Sequence, residues 1–173
     1  MSARGTGALL ALLAALGGWL WLVELGPRRP ARVDAAAAPL LATSPDRIEQ
    51  IELETAGRRL TALRRDGKWT DPRGRPWPDD VVVDLLATLG TLRPVMVVEA
   101  DPGAPADYGL DPAGRRLLVR AAGDPAGLAL DIGDSNPAAT GVYARFAGRR
   151  EIVLVGAVLD WELAKLAKAA PEP

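Results

Sequence analysis

DGKWTDPRGRPWPDDVVVDLLATLGTL, residues 66–92, changes its hydrophobic period partway along, and that change decides the fold class. Asp66-Gly67 predicts a two-residue hairpin turn, because both positions tolerate φ > 0, and Lys68-Trp69-Thr70 starts a short return strand. Pro76-Trp77-Pro78 breaks that strand, and Asp79-Asp80 bring carboxylates to the positive end of a helix dipole. Val81, Val82, Leu85, Leu86, Leu89 and Leu92 then fall within about 140° of helix circumference at roughly 100° per residue, a core-facing stripe. Pro94 stops the helix.

Outward from this stretch the period-two pattern dominates. Ile51 and Leu53 alternate with Gln50, Glu52 and Glu54, as in a strand with one wet face, and Thr55-Ala56-Gly57-Arg58 turns into a second strand near residues 59–65. After the helix come strands at 95–99, 116–121, 128–132, 142–146 and 152–155, with Leu128, Leu130 and Ile132 giving the cleanest alternation. A last helix, 157–169, puts Leu159, Leu163 and Leu166 on one face. Both halves run short strands followed by an amphipathic helix, although their residues match too weakly to establish a duplication. The expectation is one α+β domain, with mostly antiparallel strands and two amphipathic helices packed on one face.

The domain is expected from Asp46 to Ala170, long enough to bury roughly two thirds of its unfolded surface without staples. The 173 residues contain no cysteine and no histidine. Thiol nucleophiles, disulfides and zinc–thiolate sites are therefore excluded, and the side chain best suited to proton transfer near neutral pH is missing. Setting aside Arg4, Arg28, Arg29, Arg32 and Glu24 leaves 17 basic and 21 acidic residues in 34–173, a mildly acidic balance that argues against nucleic acid. No glycine-rich phosphate loop occurs, and no cofactor or metal is expected. Asp79 with Asp80 is more simply a pair of helix-dipole partners than a glycosidase pair across a cleft, so no catalytic residue is assigned.

Residues 5–23, GTGALLALLAALGGWLWLV, carry no charge and as a helix span about 28 Å, close to the roughly 30 Å hydrocarbon core. Trp19 and Trp21 sit at one end, where indoles favour the interface. Signal peptides have shorter apolar regions of about 7–15 residues, and the small residues at Ala35–Ala38 lie too far beyond this one. Residues 1–26 are therefore expected to be an uncleaved transmembrane anchor. Residues 27–45, with four prolines and the Ala35–Ala38 run, are expected to be a flexible tether. Counting Arg4 against Arg28, Arg29 and Arg32 would put the domain in the cytoplasm, by a narrow margin.

Asp66-Gly67-Lys68-Trp69, the helix after Pro78, Tyr108-Gly109-Leu110-Asp111-Pro112, Ile132-Gly133, Tyr143 and Val153-Leu154-Val155 occur in an order that resembles the DUF4340 family. Ala113 departs from it, standing where the pattern has a proline. The resemblance covers about residues 46–165. It implies a bacterial inner-membrane protein, single-pass, with its domain facing the periplasm or exterior, often associated with auxiliary components of ABC-type transport systems. It implies no catalytic residues. With an N-terminus too short to add much charge bias, it outweighs the arginine count on orientation.

Five residues are candidate contacts for a partner or ligand. Trp69 and Tyr108 suit an aromatic recognition surface, although the favoured reading has them closing a small core. Asp134 and Asn136 belong to the most polar loop joining two strands, 133–140, whose side chains are also ordinary turn formers. Trp161 lies opposite the leucine stripe of the last helix, on the side of Lys165 and Lys168. Its ring either folds back over a loop or meets a partner. The expected function is a non-enzymatic, membrane-tethered accessory domain contacting an envelope protein. The alternative is a periplasmic module that binds a glycan or peptide.

Overall fold

The computed structural model describes residues 16–18, 38–99 and 101–171. The chain divides into two units, Met1–Pro30 and Ala31–Pro173. In the first, Leu16, Gly17 and Gly18 are helical; the rest of the expected membrane span, and the tether up to residue 37, lie outside the described residues. No helix among the described residues is long and apolar enough to cross a membrane.

The second unit is built on one eight-stranded sheet. Its elements are β1 (Ile48–Thr55), β2 (Arg58–Arg65), β3 (Lys68–Thr70), α1 (Asp79–Thr91), β4 (Pro94–Glu99), β5 (Arg115–Ala121), β6 (Asp124–Ser135), β7 (Gly141–Phe146), β8 (Ile152–Gly156) and α2 (Val158–Ala169). The strands lie in the order β3-β2-β1-β5-β6-β7-β8-β4, and every pair is antiparallel. Two meanders, β1-β2-β3 and β5-β6-β7-β8, run outward from the central β1–β5 pair, so the two halves of the chain meet in the middle of the sheet. β4 returns to close the far edge.

The local expectations follow from backbone chemistry. Asp66 and Gly67 have φ of 50° and 79°, and Ala56 and Gly57 have 48° and 73°, the paired positive values of a tight hairpin turn. α1 buries Val81, Val82, Leu85, Leu86 and Leu89. Leu92, at its C-cap, is half-buried against the core. α2 buries Leu159, Leu163 and Leu166. Both helical stripes join Ile51, Leu53, Leu117, Val119, Leu130 and Ile132 in one apolar cluster on a single face of the sheet.

One expectation is corrected. The domain begins before Asp46: Leu40 and Leu41 are buried in the core, and their backbone N–H groups donate to the Leu92 and Leu89 carbonyls at 2.8 and 2.9 Å. These contacts satisfy carbonyls that the end of α1 leaves open, which a proline- and alanine-rich composition does not reveal. The sheet's other face also carries buried apolar side chains. Leu110, Ile152 and Leu154 are buried yet stand outside the main cluster, forming a small apolar cap on that face.

Candidate functional site

The five candidate residues fall in three places. Trp69 is buried in the core at the β3 edge, with the Arg64 guanidinium 6.0 Å from its ring centroid. Its carbonyl accepts from Trp77 N–H at 2.9 Å, and Trp77 Nε1 in turn donates to the Thr61 carbonyl at 3.1 Å. The two indoles close the core beneath β2 and β3, and the structure takes Trp69 off the surface.

Tyr108 and Asp134 come together on the sheet's other face. Tyr108 ends a short 3-10 turn, Pro105–Tyr108, and stacks edge-on against Tyr143 of β7, with ring centroids 5.0 Å apart. The next residue, Gly109, has φ of 67°, and a Cβ there would lie 2.6 Å from Asp134 Cγ. A Cβ on Gly133 would overlap the Tyr108 carbonyl. Both glycines are needed because the loop crosses β6 at backbone contact. Tyr108, Gly109, Gly133 and Tyr143 thus form one clasp holding the loop down. Asp134 is exposed beside it, and no hydrogen bond ties its carboxylate to the described residues. Asn136 is spent internally: its Oδ1 accepts from the Thr140 and Gly141 N–H groups at 2.9 and 3.1 Å, closing the turn between β6 and β7.

Next to the clasp lies a row that single-strand reading missed. Arg59, Glu54, Arg116, Asp131 and Arg145 are successive cross-strand neighbours on β2, β1, β5, β6 and β7. Their charges alternate across five strands. Asp131, 9 % exposed, accepts from Arg116 Nε at 2.7 Å and from Arg145 Nη2 at 3.2 Å. Arg145 Nη2 also donates to the Leu110 carbonyl at 3.2 Å, which ties the row to the clasp. Hydrogen bonding to Asp131, and then its charge, raise the Arg116 pKa above its already high ordinary value. The signal was present in the sequence: an outward-facing charge sits at the matching position of each strand, but register alone brings the charges opposite one another. The row borders a polar depression of about 570 Å³, with five arginines set against Glu54, Asp111 and Asp131. The cis Asp111–Pro112 peptide forms part of its wall.

Asp71 is the other buried charged side chain among the described residues. It accepts from the Arg73 and Arg75 N–H groups at 2.9 and 2.8 Å and from Arg75 Nε at 2.8 Å, cinching the loop after β3. Burial pushes its carboxyl up, but the Arg75 N–H and guanidinium and the Arg73 N–H together push harder the other way. The carboxyl is held below the ordinary range. Both buried acids are thus matched by arginine: Asp131 by Arg116 and Arg145, Asp71 by Arg75.

Trp161 projects from α2, 80 % exposed, and Val158, one turn earlier, is exposed as well. Between them Asp160 pairs with Arg115, and further along Lys165 pairs with Asp84 of α1. Glu162 Oε2 is buried without a hydrogen-bond partner among the described residues.

No curated protein and no solved structure is significantly similar to the chain. Residues 68–169, more than half of the sequence, carry the Lys68-Trp69 strand, the clasp and both helices. They match the family described as "Domain of unknown function (DUF4340)", to which this chain belongs.

Proposed function

We propose that the chain is a non-enzymatic accessory domain, tethered to the bacterial inner membrane by residues 5–23 and held on the periplasmic or exterior side. In this reading it docks to another envelope protein, and components of an ABC-type transport system are the favoured partners. The observation that carries the proposal is Trp161. A regular amphipathic helix buries its three leucines and leaves its largest side chain almost fully in water. Exposed indoles are costly to leave unpartnered and are enriched among residues that dominate binding energy. The two buried acids, each held by arginines, fit a scaffold better than a catalyst.

The test is Trp161→Ala in the full chain. Its melting temperature should stay nearly unchanged, as for a surface substitution worth about ±0.5 kcal/mol, while co-purification with its partner weakens. A loss of several kcal/mol in stability would make Trp161 a core residue and overturn the reading. Alkaline phosphatase fused after Pro173 should be active; an inactive fusion would reverse the orientation. The polar depression lined by Arg58, Asp111, Asp131 and Arg145 supports a second reading, a periplasmic module for a glycan or peptide, whose binding Arg58→Ala would weaken.

A further inference from the structure

β3 pairs only with Leu63, Arg64 and Arg65, which leaves residues 58–62 of β2 with β1 on one side and no strand on the other. The two-residue turn at Ala56-Gly57 makes Thr55 and Arg58 a hydrogen-bonded pair, and alternation along β2 then turns the Thr61 N–H and carbonyl away from β1. The carbonyl accepts from Trp77 Nε1 at 3.1 Å. The N–H meets no partner among the described residues. At this bare edge lies a depression of about 330 Å³, with Thr61 and Trp77 in its lining. Four arginines line it, Arg58, Arg59, Arg73 and Arg75, against one carboxylate, Asp71.

These charges do not cancel. Both oxygens of Asp71 are taken, Oδ1 by the Arg73 and Arg75 N–H groups and Oδ2 by the Arg75 guanidinium. Arg59 is taken as well, by Glu54 at 3.0 Å and Glu52 at 3.3 Å. Arg58 and Arg73 are exposed, and neither guanidinium has a hydrogen-bond or ion-pair partner among the described residues. Two uncommitted cations therefore share one depression, in a domain that carries more acid than base. That balance selects the ligand. A cation is repelled, and a neutral molecule leaves both charges unmatched. A carboxylate brings one negative charge for two positive ones. A phosphate monoester brings a charge of about −1.5 to −2 at pH 7 and three strong acceptor oxygens. Those oxygens suit two planar guanidinium forks and one backbone N–H.

We propose that this depression binds a phosphate monoester, its charge held by Arg58 and Arg73 beside the Thr61 N–H. The proposal rests neither on Trp161 nor on the glycan or peptide reading. Arg58 lines both depressions, whereas Arg73 lines this one and not the other, so Arg73 separates the two. The same phosphate chemistry occurs on water-soluble esters and on lipid headgroups, and the test has an arm for each. The full chain in neutral detergent micelles is titrated by calorimetry with glycerol 3-phosphate and, separately, with phosphatidate. Binding of the soluble ester supports the proposal with a soluble ligand, and binding of phosphatidate alone supports it with a lipid. Arg58→Gln and Arg73→Gln should each weaken binding about tenfold, as loss of charge-assisted hydrogen bonds predicts, with the melting temperature of the free protein unchanged. Arg150→Gln removes an arginine whose side chain is 83 % exposed, between β7 and β8, and should leave binding as it is. Binding in neither arm, or acetate binding as tightly as the phosphate ester, would overturn the proposal. So would full affinity in either Arg58→Gln or Arg73→Gln, or an equal loss in Arg150→Gln, which would reduce the effect to general surface charge.

Discussion

Gly109 shows how one residue does two jobs. Its φ of 67° is left-handed, which costs an L-residue with a side chain roughly 1–2 kcal/mol. Its missing Cβ leaves room for Asp134. Gly109→Ala should therefore destabilise the domain by more than the backbone term alone, about 2 kcal/mol or above, and urea unfolding will measure it. A cost below about 0.5 kcal/mol would mean that the Tyr108–Tyr143 clasp does not hold the loop. The sequence shows Gly109 only as part of the run Tyr108-Gly109-Leu110-Asp111-Pro112. It did not show that Gly133, 24 residues later, is small for the same reason: the need arises where two segments cross, not within either one.

At the scale of elements, amphipathic period was a reliable guide and element ends were not. All five buried residues of α1 belong to the stripe read from spacing, because a helix in this position has only one apolar face to bury. Leu86→Ala removes one of its fully packed side chains and should cost about 2–5 kcal/mol, the range for a leucine cavity. Thermal and urea melts that shift by less than about 1 kcal/mol would show that α1 does not pack as described. β6 extends from Asp124 to Ser135, well beyond the expected 128–132. Pro125, Gly127 and Gly133 blur its alternation, and pairing with β5 and β7 supplies what propensity lacks. The reading of Trp161 as the residue that breaks the α2 pattern agrees with its exposure; what it meets is the subject of the proposed test.

For the whole molecule, the boundary matters most. β1 lies between β2 and β5 at the centre of the sheet, although the family match begins only at Lys68. The folded unit therefore needs β1, β2 and the preceding leucines. A fragment of residues 46–171 should be less stable than one of 38–171 by about 3–6 kcal/mol, two buried leucines at roughly 1.5–3 each. With total stabilities of about 5–15 kcal/mol, that loss approaches the whole margin, and paired urea titrations will read it directly. Equal stability of the two fragments would mean that Leu40 and Leu41 only rest on the domain. The sequence by itself determined the strands, the two helices, their apolar faces, the tight hairpin turns and the exclusion of thiol and imidazole chemistry. Those properties depend on local spacing and on composition. Only the tertiary structure decided the strand order, the alternating charge row from Arg59 to Arg145, the clasp across β6 and the packing of Leu40 and Leu41 against the end of α1. Each of those exists only when residues far apart in the chain are brought side by side, and which residues meet is settled by sheet register and by how the helices pack on the sheet.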